Sequence, residues 1–217
     1  LATIRGQDLL SNGAALVANL HELAVKREIP IWTQAACGDL IVEDGRVVGI
    51  AVERRGKPVR VRARHGVLLA AGGFARNAEM RSRYSGKQPN DARWTSANPG
   101  DTGEVIEAAM RLGAATDLLD EAWWIQTSFR TEGAPLMHIT ERARPGAIIV
   151  DSSGSRYVNE AASYMEVGKA MYERDQTVGA IPSWIVIDGR FRRRYPWVMA
   201  PPVRTPKEWI ESGYMKR

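Results

Sequence analysis

The first third of the chain changes from a helical to a strand-like hydrophobic pattern. Its first apolar residues recur at helical spacing and stop before Pro30, which predicts one amphipathic helix over residues 7–27. These residues are Leu9, Leu16, Val17, Leu20 and Leu23. A strand is expected at residues 31–32, where two apolar residues follow the proline.

Residues 37–73 favour a β-meander. Three short alternating segments are separated by turn pairs at Asp44-Gly45 and Arg55-Gly56. A fourth, more apolar segment at residues 67–70 predicts a buried strand.

The second half mixes helical and strand patterns. Helices are expected at residues 77–84 and 102–112. Beyond Gly113 the pattern of hydrophobic and polar residues changes. After that point the pattern predicts, in order, a hairpin at 146–160, a helix at 162–174, a strand at 183–189 and a short helix at 205–212. The fold class is therefore α/β with α+β character, with a domain change near residues 113–125.

Composition narrows the class of protein. The chain has 217 residues, 44% of them hydrophobic, with no apolar run near the roughly 18 residues of a membrane span. The N-terminus lacks a signal-peptide pattern and the one cysteine, Cys37, cannot form an internal disulfide, so a cytoplasmic location is expected. The basic run at residues 190–194 is interpreted as a solvated face, and neither a nucleic-acid partner nor a metal site is predicted.

Two glycine-rich segments suggest a bound cofactor. "GVLLAAGGFARN", residues 66–77, runs an apolar segment into Gly72-Gly73 before a helix, and "NPGDTGE", residues 98–104, is similar. Glycine permits close approach of a ligand, and a following helix offers unpaired N–H groups to an anion. Plain turn chemistry explains either segment alone; together they favour a phosphate-bearing or planar ligand.

The order of these motifs resembles the middle of the FAD-dependent fumarate reductase and 3-ketosteroid dehydrogenase superfamily, closest to the ketosteroid branch. The resemblance implies an internal fragment of a flavoenzyme, which alone binds FAD poorly because the Rossmann fingerprint precedes it. Residues 1–115 would be part of a Rossmann-like FAD-binding domain with a β-meander, and residues 116–217 part of an α+β substrate-capping domain. The implied cofactor-binding residues are Cys37, Ala71, Gly72, Gly73, Thr102 and Gly103, with Cys37 acting through its main chain near the adenine.

The same resemblance bears on the substrate. Thr140, Glu141 and Arg144 match a fumarate reductase segment that binds a substrate carboxylate and relays protons. Ser128 stands where those reductases carry a substrate-binding histidine, and Tyr164, four positions after Glu160, stands where they carry an acid-base arginine. Both differences replace groups that the reductases use to act on a dicarboxylate. They favour the ketosteroid dehydrogenases, which are similar in this segment and place a tyrosine at the position of Tyr164.

Dehydrogenation beside a ketone requires a base for the α-proton and an acceptor for the hydride. The resemblance assigns the hydride to FAD and the proton to Tyr164, with Arg144 and Glu141 as further catalytic candidates. Substrate-binding candidates are Ser128, Thr140 and Trp124. An apolar wall for a steroid is expected from Trp123, Trp124, Phe129, Met137 and Met165, although such residues more often belong to an ordinary core.

Two alternatives stay open. The parent protein could be a fumarate-reductase-like flavoprotein that reduces another unsaturated acid or ketone, or the chain could be a folded piece without activity of its own. The expected partners are a steroid-like ketone and an external electron acceptor. Strands without neighbours also predict self-association of the fragment.

Overall fold

The structure is a computed structural model that describes residues 12–86, 88–130, 133, 135–198 and 200–216. Its contacts divide the chain into two compact units, Leu1–Leu68 and Leu69–Arg217. The predicted division at residue 115, between a cofactor part and a substrate part, concerns function and stays a prediction.

The first unit contains the predicted meander and the predicted helix from Asn12 on; residues 7–11 of that prediction lie outside the described residues. Both predicted turns are confirmed, since Asp44 and Gly45 have φ of 50° and 73° and Arg55 and Gly56 have 52° and 75°. Positive φ at both central residues suits a tight hairpin. The elements are α1 (Asn12–Lys26), β1 (Ala35–Glu43), β2 (Arg46–Arg54) and β3 (Lys57–Arg62), and the antiparallel sheet has the order β1-β2-β3.

The strand expected at residues 31–32 is wrong. Among the described residues no strand pairs with this segment. Trp32 instead lies under the guanidinium of Arg54, whose carbon is 4.0 Å from the ring centroid. A cation–π contact therefore holds the tryptophan.

The buried strand expected at residues 67–70 is also wrong. The segment belongs to no strand within the described chain, and Leu68 is 90% exposed. A buried strand needs neighbours that accept and donate its backbone hydrogen bonds. The apolar pattern alone does not supply such neighbours.

The second unit holds the remaining elements, and side chains cap its helices. Asn77 accepts a hydrogen bond from Met80 N–H at 3.0 Å, and Ser163 and Glu166 form a capping box. The elements are α2 (Ala78–Tyr84), α3 (Glu104–Arg111), β4 (Thr127–Ser128), β5 (Leu136–Met137), β6 (Ala147–Val150), α4 (Tyr164–Asp175), β7 (Trp184–Ile187), α5 (Gly189–Arg194) and α6 (Lys207–Glu211).

The hairpin predicted at residues 146–160 forms differently. β6 pairs antiparallel with β7, and only one bridge, between Val150 and Arg156, joins β6 to the returning segment. The reason is Asp151, whose buried carboxylate accepts the Ser153 hydroxyl at 2.6 Å and the Arg174 Nε at 2.8 Å. These bonds close a tight loop and leave β6 free to pair with β7.

The main apolar cluster packs β6 against α5 and α6. Its buried members are Ala147, Phe191, Trp197, Ala200 and Trp209. In the basic run, residues 190, 193 and 194 are exposed, as a solvated face requires, while Arg192 donates to the carbonyls of Tyr195, Pro201 and Arg204.

Within the described residues, no helix has both the length and the apolar character needed to cross a membrane.

Candidate functional site

The two glycine-rich loops lie against each other in the second unit. Arg76 N–H donates to the Asp101 carbonyl oxygen at 2.9 Å. Gly72 has a φ of 79°, and a Cβ at Gly72 would lie 2.4 Å from Asp101 Oδ1. The packing of the loops therefore requires glycine at this position.

Thr102 and Gly103 also have partners inside the chain. Gly103 is buried with a φ of 80°, and a Cβ there would lie 2.5 Å from Met80 Sδ. The Thr102 carbonyl accepts from Asn77 Nδ2 at 2.8 Å, and its hydroxyl donates to Glu104. Glu104 thus holds the turn through the threonine side chain.

Gly73 differs from these glycines. It is exposed, it is not among the residues with positive φ, and a Cβ on it would meet no atom within 4 Å. No described part of the chain requires glycine at Gly73, so the open space suits a group that approaches from outside.

A mostly apolar cleft of about 170 Å³ lies beside Gly72. One side is formed by the segment that contains Leu69 and Ala71, and the other by α3. The α3 residues that line it are Val105, Ile106, Ala109 and Met110. Such a cleft can accept a flat apolar group. The remaining cofactor candidate, Cys37, belongs to the first unit, where it is half-buried on β1 in register with Val52.

Among the predicted substrate-binding residues, Ser128 lies on a small hairpin. This hairpin brings it to a histidine that the sequence pattern did not single out. β4 and β5 pair with Ser128 opposite Leu136, and His138 N–H donates to the Gln126 carbonyl at 2.9 Å. Ser128 and His138 are thus diagonal neighbours. Ser128 Oγ lies 2.6 Å from His138 Nε2.

Ser128 and His138 belong to a longer hydrogen-bond chain. The Tyr214 hydroxyl lies 2.8 Å from Ser128 Oγ, and Trp197 Nε1 donates to Tyr214 at 3.1 Å. The His138 ring stacks on Trp197 with centroids 4.8 Å apart. We call these four residues, Ser128, His138, Trp197 and Tyr214, the polar chain.

His138 is electrically neutral at neutral pH. It is 1% exposed, and burial lowers the pKa of its imidazole, an effect that the charge of Glu141 opposes. The polar chain therefore offers neutral hydrogen-bonding groups and no positive charge.

Tyr164 begins α4 next to the same hairpin. Gln126 Nε2 donates to the Tyr164 carbonyl at 3.0 Å, and the capping box of Ser163 and Glu166 fixes the first turn. Tyr164 is half-buried, and its hydroxyl has no hydrogen-bond partner among the described residues. Its backbone is held while its hydroxyl stays available.

Arg142 ties down the segment that leads to Tyr164. It is 2% exposed and donates to the carbonyls of Glu160 and Ala162, the latter at 3.0 Å. Burial lowers the pKa of the Arg142 guanidinium, and the nearby Glu160 opposes this. The Glu160 carboxylate, also buried, binds Arg156 and the Ile149 N–H. Burial alone would raise the pKa of Glu160, but these hydrogen bonds hold it below its ordinary value.

The three residues predicted from the 140–144 segment lie nearer the surface. Thr140 and Arg144 are exposed and Glu141 is half-buried. Glu141 accepts from Thr140 N–H at 3.3 Å, and the Arg144 guanidinium carbon lies 5.5 Å from the Tyr195 ring centroid. In the described chain none of the three forms a hydrogen bond with Ser128 or Tyr164.

The predicted apolar wall is divided between packing and exposed surface. Trp124 packs against Tyr172 of α4, with ring centroids 4.9 Å apart, and against Gly168. Trp123 is 83% exposed, while Phe129 and Met137 are each nearly half exposed. Trp124 therefore packs on α4, and its neighbours supply accessible apolar surface.

Loops of the kind found here, with open glycine backbone beside an apolar cleft, are typical of proteins that bind a nucleotide cofactor. A family model described as "FAD binding domain" matches residues 2–198. The chain belongs to this family, and its mixed helix-and-sheet structure agrees with that membership.

Three known proteins illustrate the likeness. The 3-oxosteroid 1-dehydrogenase of Mycolicibacterium smegmatis is 39% identical over 97% of this chain and 38% of its own length. The cytochrome-type fumarate reductase of Shewanella frigidimarina is 32% identical over 74% of this chain and 29% of its own length. The crystal structure of 3-ketosteroid delta1-dehydrogenase from Sterolibacterium denitrificans, in complex with 1,4-androstadiene-3,17-dione, superposes with a TM-score of 0.86 at 40% identity and covers 92% of this chain and 37% of that one. The chain thus spans well under half of each relative.

FAD fits the residues that are present. Gly73 is a glycine that nothing in the described chain requires, and the cleft beside Gly72 is apolar and open on one side. Both features suit close approach of a planar ring or a phosphate.

Proposed function

We propose that the chain is a segment of an FAD-dependent enzyme that removes two hydrogens from adjacent carbons beside a ketone, in a 3-ketosteroid-like substrate. The observation that carries the proposal is Tyr164. Its backbone is fixed at the start of α4, its hydroxyl has no partner in the described chain, and it lies next to the hairpin of Ser128. A general base needs an oxygen that is free to reach the substrate, and a tyrosine serves as one once its own proton has left.

The neutral character of the polar chain supports a ketone over a dicarboxylate. His138 is buried with its pKa lowered, and Arg142, which is also buried, directs its Nη1 to two backbone carbonyls. A carboxylate substrate needs an available cation at its site. The alternative, reduction of an unsaturated acid, rests on the exposed Arg144 and on the likeness to the fumarate reductase.

The cofactor part of the proposal assigns FAD to Cys37, Ala71, Gly72, Gly73, Thr102 and Gly103. Residues 1–115 would then belong to a Rossmann-like cofactor domain and residues 116–217 to a capping domain. When bound, FAD supplies the acceptor for a hydride. An external electron acceptor would restore it for the next turnover.

In the reaction, Tyr164 would first give up its own hydroxyl proton and its oxygen would then take the α-proton. The electron pair of that α C–H bond forms the new double bond, while the neighbouring carbon loses its hydrogen as a hydride to the acceptor that FAD would supply. Glu141 and Arg144 would pass the proton from Tyr164 to solvent. Ser128, Thr140 and Trp124 would position the substrate. Trp123, Phe129 and Met137 supply exposed apolar area for a steroid.

The decisive experiment is Tyr164→Phe in the complete flavoprotein. Turnover of a 3-ketosteroid should fall about 10²- to 10⁴-fold, with FAD content and substrate affinity nearly unchanged, because only the proton-transfer group is lost. Tyr172→Phe is the matched control, since Tyr172 lies on the same helix and donates its hydroxyl to the Pro89 carbonyl. Turnover of the Tyr164 variant within about threefold of the parent would exclude the assignment.

Loss of FAD from the same variant would instead show a structural role for the hydroxyl. Testing a dicarboxylate such as fumarate against the 3-ketosteroid separates the two candidate functions. Reduction of fumarate without oxidation of the ketosteroid would select the alternative.

A further inference from the structure

We propose that His138 and Tyr214 hold the Ser128 hydroxyl as a hydrogen-bond donor toward a neutral carbonyl oxygen of the bound substrate. This inference deepens the proposed function and rests on it for the identity of the ligand. The argument starts from the direction of each hydrogen bond in the polar chain.

One end of the polar chain has a fixed direction. An indole N–H can only donate, so Trp197 donates and the Tyr214 oxygen accepts, at 3.1 Å. The Tyr214 hydroxyl keeps its own hydrogen, and its other partner is Ser128 Oγ at 2.8 Å. Tyr214 therefore donates to Ser128.

The other end depends on the tautomer of His138. Its Nδ1 is buried and has no hydrogen-bond partner among the described residues. If Nδ1 carried the proton, a donor would be buried without an acceptor, and orphaned N–H groups are rarer than orphaned acceptors. The favoured tautomer carries the proton on Nε2, which then donates to Ser128 Oγ at 2.6 Å.

Ser128 consequently accepts two hydrogen bonds, one from His138 and one from Tyr214. Both lone pairs of its oxygen are used, and its own hydrogen is the one hydrogen of the polar chain that no member accepts. Since Ser128 is half-buried, this hydrogen can reach a bound molecule. The partner must be an acceptor, and a neutral carbonyl suits the uncharged surroundings.

A nucleophilic role for Ser128 is a poorer match. A serine nucleophile gives its proton to the histidine, and the histidine is oriented by an acid on its other nitrogen. In the described chain no group forms a hydrogen bond with His138 Nδ1. His138 and Tyr214 are therefore positioning residues that act through Ser128.

The first test determines the tautomer. The complete flavoprotein is labelled with ¹⁵N-histidine, and long-range ¹H–¹⁵N spectra are recorded at neutral pH, with His138→Gln used to assign the signals. We expect His138 to be neutral with its proton on Nε2. A proton on Nδ1, or a doubly protonated ring, would overturn the proposal.

The second test measures binding of 4-androstene-3,17-dione to the complete flavoprotein. Ser128→Ala and His138→Leu should each weaken binding about tenfold, the effect of one hydrogen bond. His138→Gln, whose amide N–H can replace Nε2–H, should stay within about threefold of the parent. Thr127→Val is the control, because Thr127 neighbours Ser128 on the opposite face of β4.

Unchanged binding in Ser128→Ala would overturn the proposal even if the parent oxidises ketosteroids. Conversely, a protein that binds no steroid at all would overturn the proposed function and the assigned ligand together. The tautomer spectra would then still decide the direction of the polar chain, so the two failures are distinguishable.

Discussion

Replacing Arg142 by methionine should destabilise the second unit strongly. The guanidinium is 2% exposed and donates to the carbonyls of Glu160 and Ala162. A hydrogen bond from a charged donor contributes about 1.5–3 kcal/mol, so the loss of two predicts about 3–6 kcal/mol. This is a large part of the roughly 5–15 kcal/mol that stabilises a typical domain. The carbonyls left behind precede Tyr164, so the start of α4 should loosen as well.

The assay is urea denaturation followed by tryptophan fluorescence, with Arg144→Met as the matched control. Arg144 is exposed and its guanidinium carbon lies 5.5 Å from the Tyr195 ring centroid, so its replacement should cost below about 1 kcal/mol. Arg142→Lys should fall between the two, because the shorter lysine side chain places its ammonium group short of Nη1, the one nitrogen that donates to both carbonyls. If Arg142→Met and Arg144→Met differ by less than about 1 kcal/mol, the structural role given to Arg142 is wrong.

Two further predictions concern stability. Gly168→Ala should destabilise the chain by about 1–3 kcal/mol, because the new Cβ would lie 2.4 Å from Trp124 Cβ. Gly13→Ala in α1 should instead stabilise it by up to about 1 kcal/mol, because nothing lies within 4 Å of the new Cβ. Urea denaturation that gives both substitutions the same sign would contradict this. Asp151 has its pKa lowered to about 2 by the Ser153 hydroxyl and by Arg174, so its stabilising effect is complete above its ordinary value and disappears as pH falls through about 2. The stability difference between the parent and Asp151→Asn should therefore shrink from about pH 4 to pH 2, and a difference that stays constant over this range would refute the prediction.

Local sequence signals were enough for most of the helices and for the tight turns, whereas α5 was not predicted. Asn77, Ser163 and Asp188 each precede a helix and accept one of its first N–H groups. The paired turn residues after β1 and β2 adopt positive φ as expected. These features depend on residues within a few positions of one another, so their physics is contained in a short stretch of sequence.

Strand pairing was harder to predict because it depends on distant partners. The apolar run at residues 67–70 is a good strand pattern, yet no described segment pairs with it. β6 has the predicted strand character but pairs with β7, which lies more than thirty residues away, since Asp151 bends the chain before a hairpin can continue. Neither outcome is visible in the local alternation of apolar and polar residues.

The candidate site shows the same limit for individual side chains. Arg142 and Arg144 look equivalent in the sequence, and only the fold makes Arg142 buried and leaves Arg144 exposed. His138 is one histidine in an apolar segment. Tyr214, the other hydrogen-bond partner of Ser128, lies 86 positions from Ser128. No spacing rule connects them, because the polar chain exists only after the hairpin and the C-terminal helix have packed.

The hydrogen bond from Gln126 to residue 164 has a consequence for how such a site can diversify. Gln126 binds the backbone carbonyl of Tyr164 and makes no demand on its side chain. The capping box likewise uses Ser163 and Glu166, the residues on either side of that first turn. A substitution at position 164 would therefore leave these backbone and capping hydrogen bonds in place. Under the proposed function, a single codon change could then replace the acid-base group while the start of α4 keeps its hydrogen bonds.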